Sequence, residues 1–251
     1  RTMYMKKSMI KGIVSVIFAS ALLCSCDLLD LTPKAAVTVK TYFKNESELE
    51  LYANRFYSDI LPGGNGIYKE IGDNMIWIPL ASEVSLTRTV PEKGGGWSFE
   101  ALRHINFLLE NIGNCPDAAA VRKYTGVAKF FRAHYYFNMV KRFGDVPWLD
   151  HVPGTDDPAL YKARDSRDFV MEKVIEDIDE AIRLFKKENS TKDLYHVTWW
   201  TAMALKSRIC LFEGTFRKYH GLADSEKWLR LCVESSDALM NAPRGYSLYT
   251  S

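Results

Sequence analysis

The chain has 251 residues, enough for one large domain or two small ones around a sizeable core. At 47% hydrophobic, 25% charged and 13% aromatic residues the composition is that of a globular protein with many rings, which excludes a disordered or low-complexity chain. The formal charge is +2, but Arg1, Lys6, Lys7 and Lys11 stand in an acid-free opening; the remaining 29 bases against 31 acids give −2, so no concentrated basic run points to nucleic acid.

The first element is a leader. Lysines at 6, 7 and 11 precede the apolar run Ile13 to Cys24, which is too short to span a bilayer comfortably and has the form of a signal peptide. The chain opens on Arg1, so residues 1–4 read as an upstream flank and Met5 as the expected start. Leu23-Cys24-Ser25-Cys26 is similar to a bacterial lipobox, with a small residue directly before the cysteine. Cys26 is therefore the expected lipidation site, where several acyl chains would make a stable anchor; Cys24 fits less well because Leu23 would occupy the small position. The alternative is ordinary secretory cleavage near Ser25. Residues 1–25 are thus expected to be flank and signal peptide, and 26–251 the mature domain.

After an extended lead-in over 27–44, Ser47-Glu48-Leu49-Glu50 reads as a capping box. The first helix follows, with Leu49, Tyr52, Ala53, Phe56, Tyr57 and Ile60 on one face, and stops at Pro62-Gly63-Gly64. From Leu61 to about Ser98 no period is sustained, and glycines recur. Loops of this length in a compact domain are usually functional or disordered, and Trp77 and Trp97 argue against disorder. A second helix is predicted from about Phe99, with Leu102, Ile105, Leu108, Leu109 and Ile112 inward.

The central helix lies within Val121 to Trp148. Tyr124, Val127, Ala128, Phe131, Tyr135 and Met139 form one apolar face, and Phe130, Ala133, Phe137 and Val140 widen it. So broad a stripe must be covered on several sides. Gly144 offers the positive-φ position that closes the helix, and Pro147 prevents its resumption. An irregular segment, Leu149 to Asp165, follows. A fourth helix begins at Ser166 or Asp168, with Phe169, Val170, Val174, Ile178, Ala181, Ile182 and Phe185 inward. The fifth spans roughly Val197 to Phe216 and the sixth roughly Ser225 to Asn241. In the sixth, Trp228 reads as packing, and together with Leu231, Leu239 and Met240 it would face a following helix.

Ala128 and Arg132 have counterparts in Ala204 and Arg208, each after a shorter amphipathic helix. Recurring helix pairs mark a tetratricopeptide-like array, although these residues are 76 apart rather than the roughly 34 of a standard repeat. The expected fold is all-α, a helical-repeat array with long irregular loops.

Enzyme motifs are missing from the sequence: there is no Gly-x-Ser-x-Gly, phosphate loop or His-Glu-x-x-His. The five histidines are scattered without ligand spacing, and His134 reads as a core histidine. No metal, cofactor or catalytic residue is expected. Glu176, Asp177, Asp179 and Glu180 could suggest paired glycosidase carboxylates, but they read better as the solvated side of one helix. Cys210 and Cys232 are each eleven residues from Gly221, so a disulfide is open to them; an apolar helix context favours two buried thiols. Of the adjacent Trp199 and Trp200, which cannot share a face, at least one is expected in the core and the other in a helix contact.

The run FFRAHYYFNMVKRFGDVPW (130–148) resembles the signature segment of the SusD/RagB family, an Arg-Ala-aromatic helix ending in an aromatic-Gly-Asp-Val-Pro turn. The lipobox, Asp30-Leu31-Thr32-Pro33, Asn54-Arg55-Phe56-Tyr57, Ile105 to Glu110, Asp177 to Ile182 and Gly245-Tyr246-Ser247-Leu248 are similar to family segments in the family's order. The resemblance implies a surface-facing outer-membrane lipoprotein that is not an enzyme. Such proteins bind oligosaccharides or polysaccharides and deliver them to a SusC-like TonB-dependent transporter. It also implies a longer chain, so that 26–251 is expected to be an N-terminal portion truncated at the C-terminus. A helical scaffold for protein contact alone is the alternative. Ligand contacts are expected in the loop between the first two helices, at Asp73, Asn74, Arg88 and Trp97, with Trp97 as an apolar platform for a sugar ring or as a staple for the second helix.

Overall fold

The computed structural model describes residues 42–63, 78–80, 82, 84–185 and 195–241. The leader, Cys26, Asp73, Asn74, Trp77 and the segment at Gly245 lie outside them. Among the described residues the fold is all-α, with six helices and no sheet: α1 Glu46–Ile60, α2 Glu100–Asn111, α3 Ala118–Phe143, α4 Arg167–Phe185, α5 Trp199–Tyr219 and α6 Ser225–Met240. None of these helices is long and apolar enough to cross a membrane.

Helix α1 starts earlier than its Ser47 pattern suggests. The Asn45 side chain is the cap, accepting from the Glu48 N–H at 3.0 Å, while the Glu48 carboxylate accepts from the Lys44 N–H at 2.8 Å. An asparagine followed three residues later by a glutamate satisfies two exposed donors reciprocally, and that places Ser47 inside the first turn. Helix α3 begins at Asp117, whose carboxylate accepts from the Ala119 and Ala120 N–H groups. It ends at Gly144, where φ is +71°.

All ten apolar residues assigned to α3 are buried. The stripe is broad because α1 and α2 pack on one part of it and α4 and α5 on another. α3 pairs closely with α4, and α5 with α6, each antiparallel: Gly126 near the start of α3 meets Phe185 at the end of α4, and Gly214 late in α5 meets Leu229 early in α6. A Cβ on Gly214 would lie 2.8 Å from the Leu229 side chain and 3.0 Å from its backbone nitrogen. Gly214→Ala should therefore lower stability by about 1–2 kcal/mol by overpacking, even though alanine is the better helix former. Urea denaturation checks this, and an unchanged midpoint would show that the two helices can separate freely.

Several sequence expectations need correction. Phe169 is 43% exposed, and Met171, one turn of α4 before Val174 and on the same face, is buried instead. Ala204 and Arg208 are exposed whereas Ala128 and Arg132 are buried, so these residues are not structural counterparts even though the helix pairs recur. Trp228 is 1% exposed, held against α5 with the Arg217 guanidinium 5.5 Å from its ring centroid; it packs the array and is not part of an outer face. Trp199 and Trp200 are both half-buried and meet edge to face at 5.2 Å. Cys115, Cys210 and Cys232 are free thiols, and burial pushes Cys210 up to about 12. His134 is partly buried, its Nδ1 lies 3.1 Å from Asn138 Nδ2, and desolvation pushes it down to about 4, as a neutral packing histidine requires.

The carboxylates of α4 do not all face solvent. Glu176 and Asp179 do, but Asp177 is 2% exposed. It sits one helical turn from Val174 and beside Ile178, on the inward side, where it meets Arg132. Arg132 Nε donates to Asp177 Oδ2 at 2.5 Å and Nη2 to Oδ1 at 2.9 Å; Lys129 adds a bond to Oδ1 at 2.7 Å. A second buried carboxylate, Glu213 on α5, takes three bonds from Arg167 and one from Arg217, which also reaches Asp168. Each buried charge is paired, as burial demands.

Candidate ligand cleft

The central network continues outward. Arg132 Nη1 donates to Asn106 Oδ1 on α2 at 3.2 Å, and Asn106 Nδ2 donates to the carbonyls of Leu149 at 2.9 Å and His151 at 3.1 Å. The segment after α3 is thus tied to α4 through three buried side chains. Tyr136 of α3 adds a second tie: its ring stacks on Trp148 at 4.3 Å, and its hydroxyl accepts from the Leu149 N–H at 2.7 Å. Burial raises the Tyr136 phenol well above its ordinary pKa, which keeps it a neutral hydrogen-bonding group. Trp148 N–H donates to Asp165, and a single bridge joins Val146 to Asp165, closing the 149–165 segment into a loop.

That loop, the first half of α2 and the strip before it enclose a cleft of about 460 Å³. Trp97 and Phe99 supply rings, Arg103 and Asn106 come from α2, and His151 and Leu160 come from the loop. The short 3₁₀ turn Pro158–Tyr161 is capped by Asp157, which accepts from the Ala159 N–H at 2.8 Å.

Trp97 is set by glycines. Gly94, Gly95 and Gly96 all have positive φ, up to +89° at Gly96, where a Cβ would lie 3.2 Å from Arg142 Nε. No other residue fits that position without strain. Trp97 is half-buried, edge-on to Phe143 at 4.9 Å and to Phe99 at 5.3 Å, and Arg164 stands over its ring at 4.7 Å. Tyr135 pins the next residue by donating to the Ser98 carbonyl at 2.6 Å. The ring therefore both anchors the start of α2 and borders the cleft. Of the four expected ligand contacts, Trp97 lines the cleft; Arg88 is exposed and is not among the lining residues; Asp73 and Asn74 lie outside the described residues. The cleft residues missed from sequence, Asn106 and His151, come from a helix face and a loop whose meeting depends on the long-range ties above.

His151 is held between two carboxylates, with Nδ1 3.0 Å from Asp150 Oδ1 and Nε2 2.8 Å from Asp157 Oδ2. These bonds, Asp150's first, raise its pKa above the usual imidazole value. A group whose pKa is raised by folding adds stability that is complete below its ordinary value and is lost as pH rises through the folded one. The loop should therefore loosen as pH climbs past the raised value. An NMR titration should place the His151 midpoint above about 6.5, with Asp157→Asn moving it back down. A midpoint at or below the ordinary value in the wild type would show that the clamp does not form in solution. Among the described residues no group of three or more His, Cys, Asp or Glu side chains is arranged to hold a metal ion.

A smaller cavity of about 240 Å³ lies at the opposite end of α3, bordered by Tyr57, Lys123, Tyr124, His196 and Trp199. The two are separated by most of a helix about 39 Å long at 1.5 Å per residue.

Residues 97–211 match the SusD-like family described as starch-binding, associating with outer membrane. The fold is similar to a SusD-like protein from Bacteroides fragilis NCTC 9343, at 21% identity and TM-score 0.64, over 83% of this chain and 40% of that one. It is also similar to a SusD homologue from Bacteroides thetaiotaomicron VPI-5482, at 18% identity and TM-score 0.61, over 84% of this chain and 43% of that one. A SusD-like carbohydrate binding protein from Bacteroides vulgatus ATCC 8482 matches at 15% identity and TM-score 0.53, over 78% and 45%. At these identities the likeness is one of fold, and the chain spans less than half the length of each of these structures. No curated protein matches the sequence significantly.

Proposed function

We propose, from the SusD-like family match of residues 97–211 and the SusD-like fold, that the chain captures oligosaccharides or polysaccharides at the outer membrane and delivers them to a SusC-like TonB-dependent transporter. It would do so without catalysis, held at the outer face by acyl chains on Cys26. The observation that carries this proposal is the cleft bordered by Trp97. It combines aromatic edges with the exposed Glu100 and Arg103 side chains, the mixture of flat apolar surface and hydrogen-bonding groups that a sugar ring and its hydroxyls require, while Asn106 and His151 hold its wall. Its walls are fixed by buried bonds rather than by loop side chains alone, so little order has to be gained on binding.

Trp97→Ala tests this. In a glycan screen of the purified chain followed by calorimetry, the substitution should weaken binding by about 1 kcal/mol or more with helicity retained. Unchanged affinity would leave Trp97 as a staple only. A second proposal, a scaffold for protein contact alone, is favoured by the exposed Ile78, Leu86 and Val90 in the strip before α2. It predicts no glycan binding at all.

A further inference from the structure

Around the Trp97 ring group stand three arginines with no carboxylate partner among the described residues. Arg164, from the 149–165 loop, lies over Trp97 at 4.7 Å. Arg142, from the last turn of α3, lies over Phe143 at 5.7 Å and beside Gly96. Of the three, Arg103 lines the cleft, from α2, while Arg142 and Arg164 border the Trp97 and Phe143 rings outside that lining. Five other guanidinium groups are matched: Arg55 with Asp59, Arg132 with Asp177, Arg167 with Glu213, Arg183 with Glu180, and Arg217 with Glu213 and Asp168. Nearby Lys162 is matched by Asp165, and His151 by Asp150 and Asp157. Asp150, Asp157 and Asp165 are thus engaged by other groups, and the exposed Glu100 in the cleft lining has a 4.0 Å contact with His104, so three guanidinium groups gather near the Trp97 rings against one loosely held carboxylate. Like charges gathered with little counter-charge are unfavourable to the folded chain and favourable to an anion that arrives among them.

The geometry points to an anionic glycan as the ligand of this cleft: a sugar chain carrying carboxylate or sulfate groups, its rings against Trp97 and Phe99 and its oxyanions on Arg103, Arg142 and Arg164. This rests on the glycan-binding proposal above and adds the charge of the ligand to it. Guanidinium suits the role because its planar fork meets a carboxylate or sulfate with two parallel bonds while lying flat against an aromatic face. Arg164 already lies over Trp97 in this way, so an entering sugar could bond its oxyanion to a cation preset beside the ring.

The test compares four probes against the purified chain by calorimetry at low and moderate salt: an oligogalacturonate, a sulfated dextran, a neutral maltooligosaccharide and a single-stranded DNA oligonucleotide. An anionic glycan should bind on the order of ten-fold tighter than the neutral one, and added salt should erode that preference. Arg103→Gln with Arg164→Gln should collapse the preference, each exposed pair accounting for about two- to five-fold in affinity. Both residues are exposed, and unchanged thermal unfolding confirms that the variant folds. Whichever anionic glycan binds tighter assigns carboxylate or sulfate as the recognised group. If the neutral oligosaccharide binds as well as the anionic ones, the charge inference is wrong while glycan capture stands. If no glycan binds, both fail. If DNA binds as tightly as the best glycan, the arginines are only a bulk charge field and the inference is overturned.

Discussion

Arg132→Ala should destabilise the domain by about 3–5 kcal/mol, the usual consequence of removing one partner from a buried ion pair. Arg132 is 5% exposed and Asp177 2%, and the pair is bidentate. Loss of the guanidinium leaves Asp177 with Lys129 alone and strips Asn106 of the donor to its side-chain oxygen. Asn106 in turn holds the Leu149 and His151 carbonyls, so the wall of the cleft should loosen along with the core. Urea denaturation gives the stability change, and hydrogen exchange at residues 149–165 gives the local one. Replacing both members, Arg132→Met with Asp177→Leu, should recover much of the stability because no unpaired charge remains. It should not restore the loop's order, since Asn106 stays without its donor. A loss under about 1 kcal/mol for Arg132→Ala would mean that water reaches Asp177 and the pair is not a buried one.

On the proposed lipid anchor, Cys26→Ala should leave the protein released from the membrane or held as uncleaved precursor. In the proposed anchor the cysteine thiol is the group that takes the diacylglycerol, and the apolar leader is removed by cleavage. Separation of membrane and soluble fractions, with mass spectrometry of the amino terminus, reads the effect as nearly all or none. A variant that stays in the membrane fraction and is cleaved like the wild type would exclude Cys26 as the anchor. Cys24→Ala, by contrast, should leave both processing and attachment intact.

The helices were legible because each carries apolar residues at three- and four-residue spacing, and α3 could be placed at the centre from the width of its stripe alone. What the sequence hid were the buried polar residues. Asp177 occupies an inward register between Val174, Ile178 and Ala181, but its acidity and its acidic neighbours make the position look solvated. Its partner lies 45 residues away on another helix, a separation that local periodicity does not register. Glu213 and Asn106 are hidden for the same reason. Phe169 shows the converse: a large apolar side chain in the first turn of α4 points outward, because the packed face begins at Val170 and Met171.

The candidate site was legible only in part. Glycines at 94–96 followed by a tryptophan marked a shaped loop, and Trp97 does border the cleft. His151, Leu160 and the three unpaired arginines belong to α2, α3 and the 149–165 loop, which meet through Asn106, Tyr136 and Asp165. No single stretch of sequence carries that meeting. Legible too was the SusD-like resemblance of residues 130–148; Arg132 and Tyr136 of that run hold the lining residues Asn106 and Leu149, and both rest against Trp148.

The most direct test of glycan capture is a ¹H–¹⁵N NMR titration of the chain with the glycan that binds best in the screen. If the cleft holds the ligand, the Trp97 indole resonance, identified by its loss in Trp97→Phe, should shift saturably together with the amides of Arg103, His151 and Leu160, while those around Trp199 at the far end of α3 stay in place. Saturable shifts confined to the Trp199 end, or no shift at Trp97 while binding is seen by calorimetry, would contradict the assignment of this cleft.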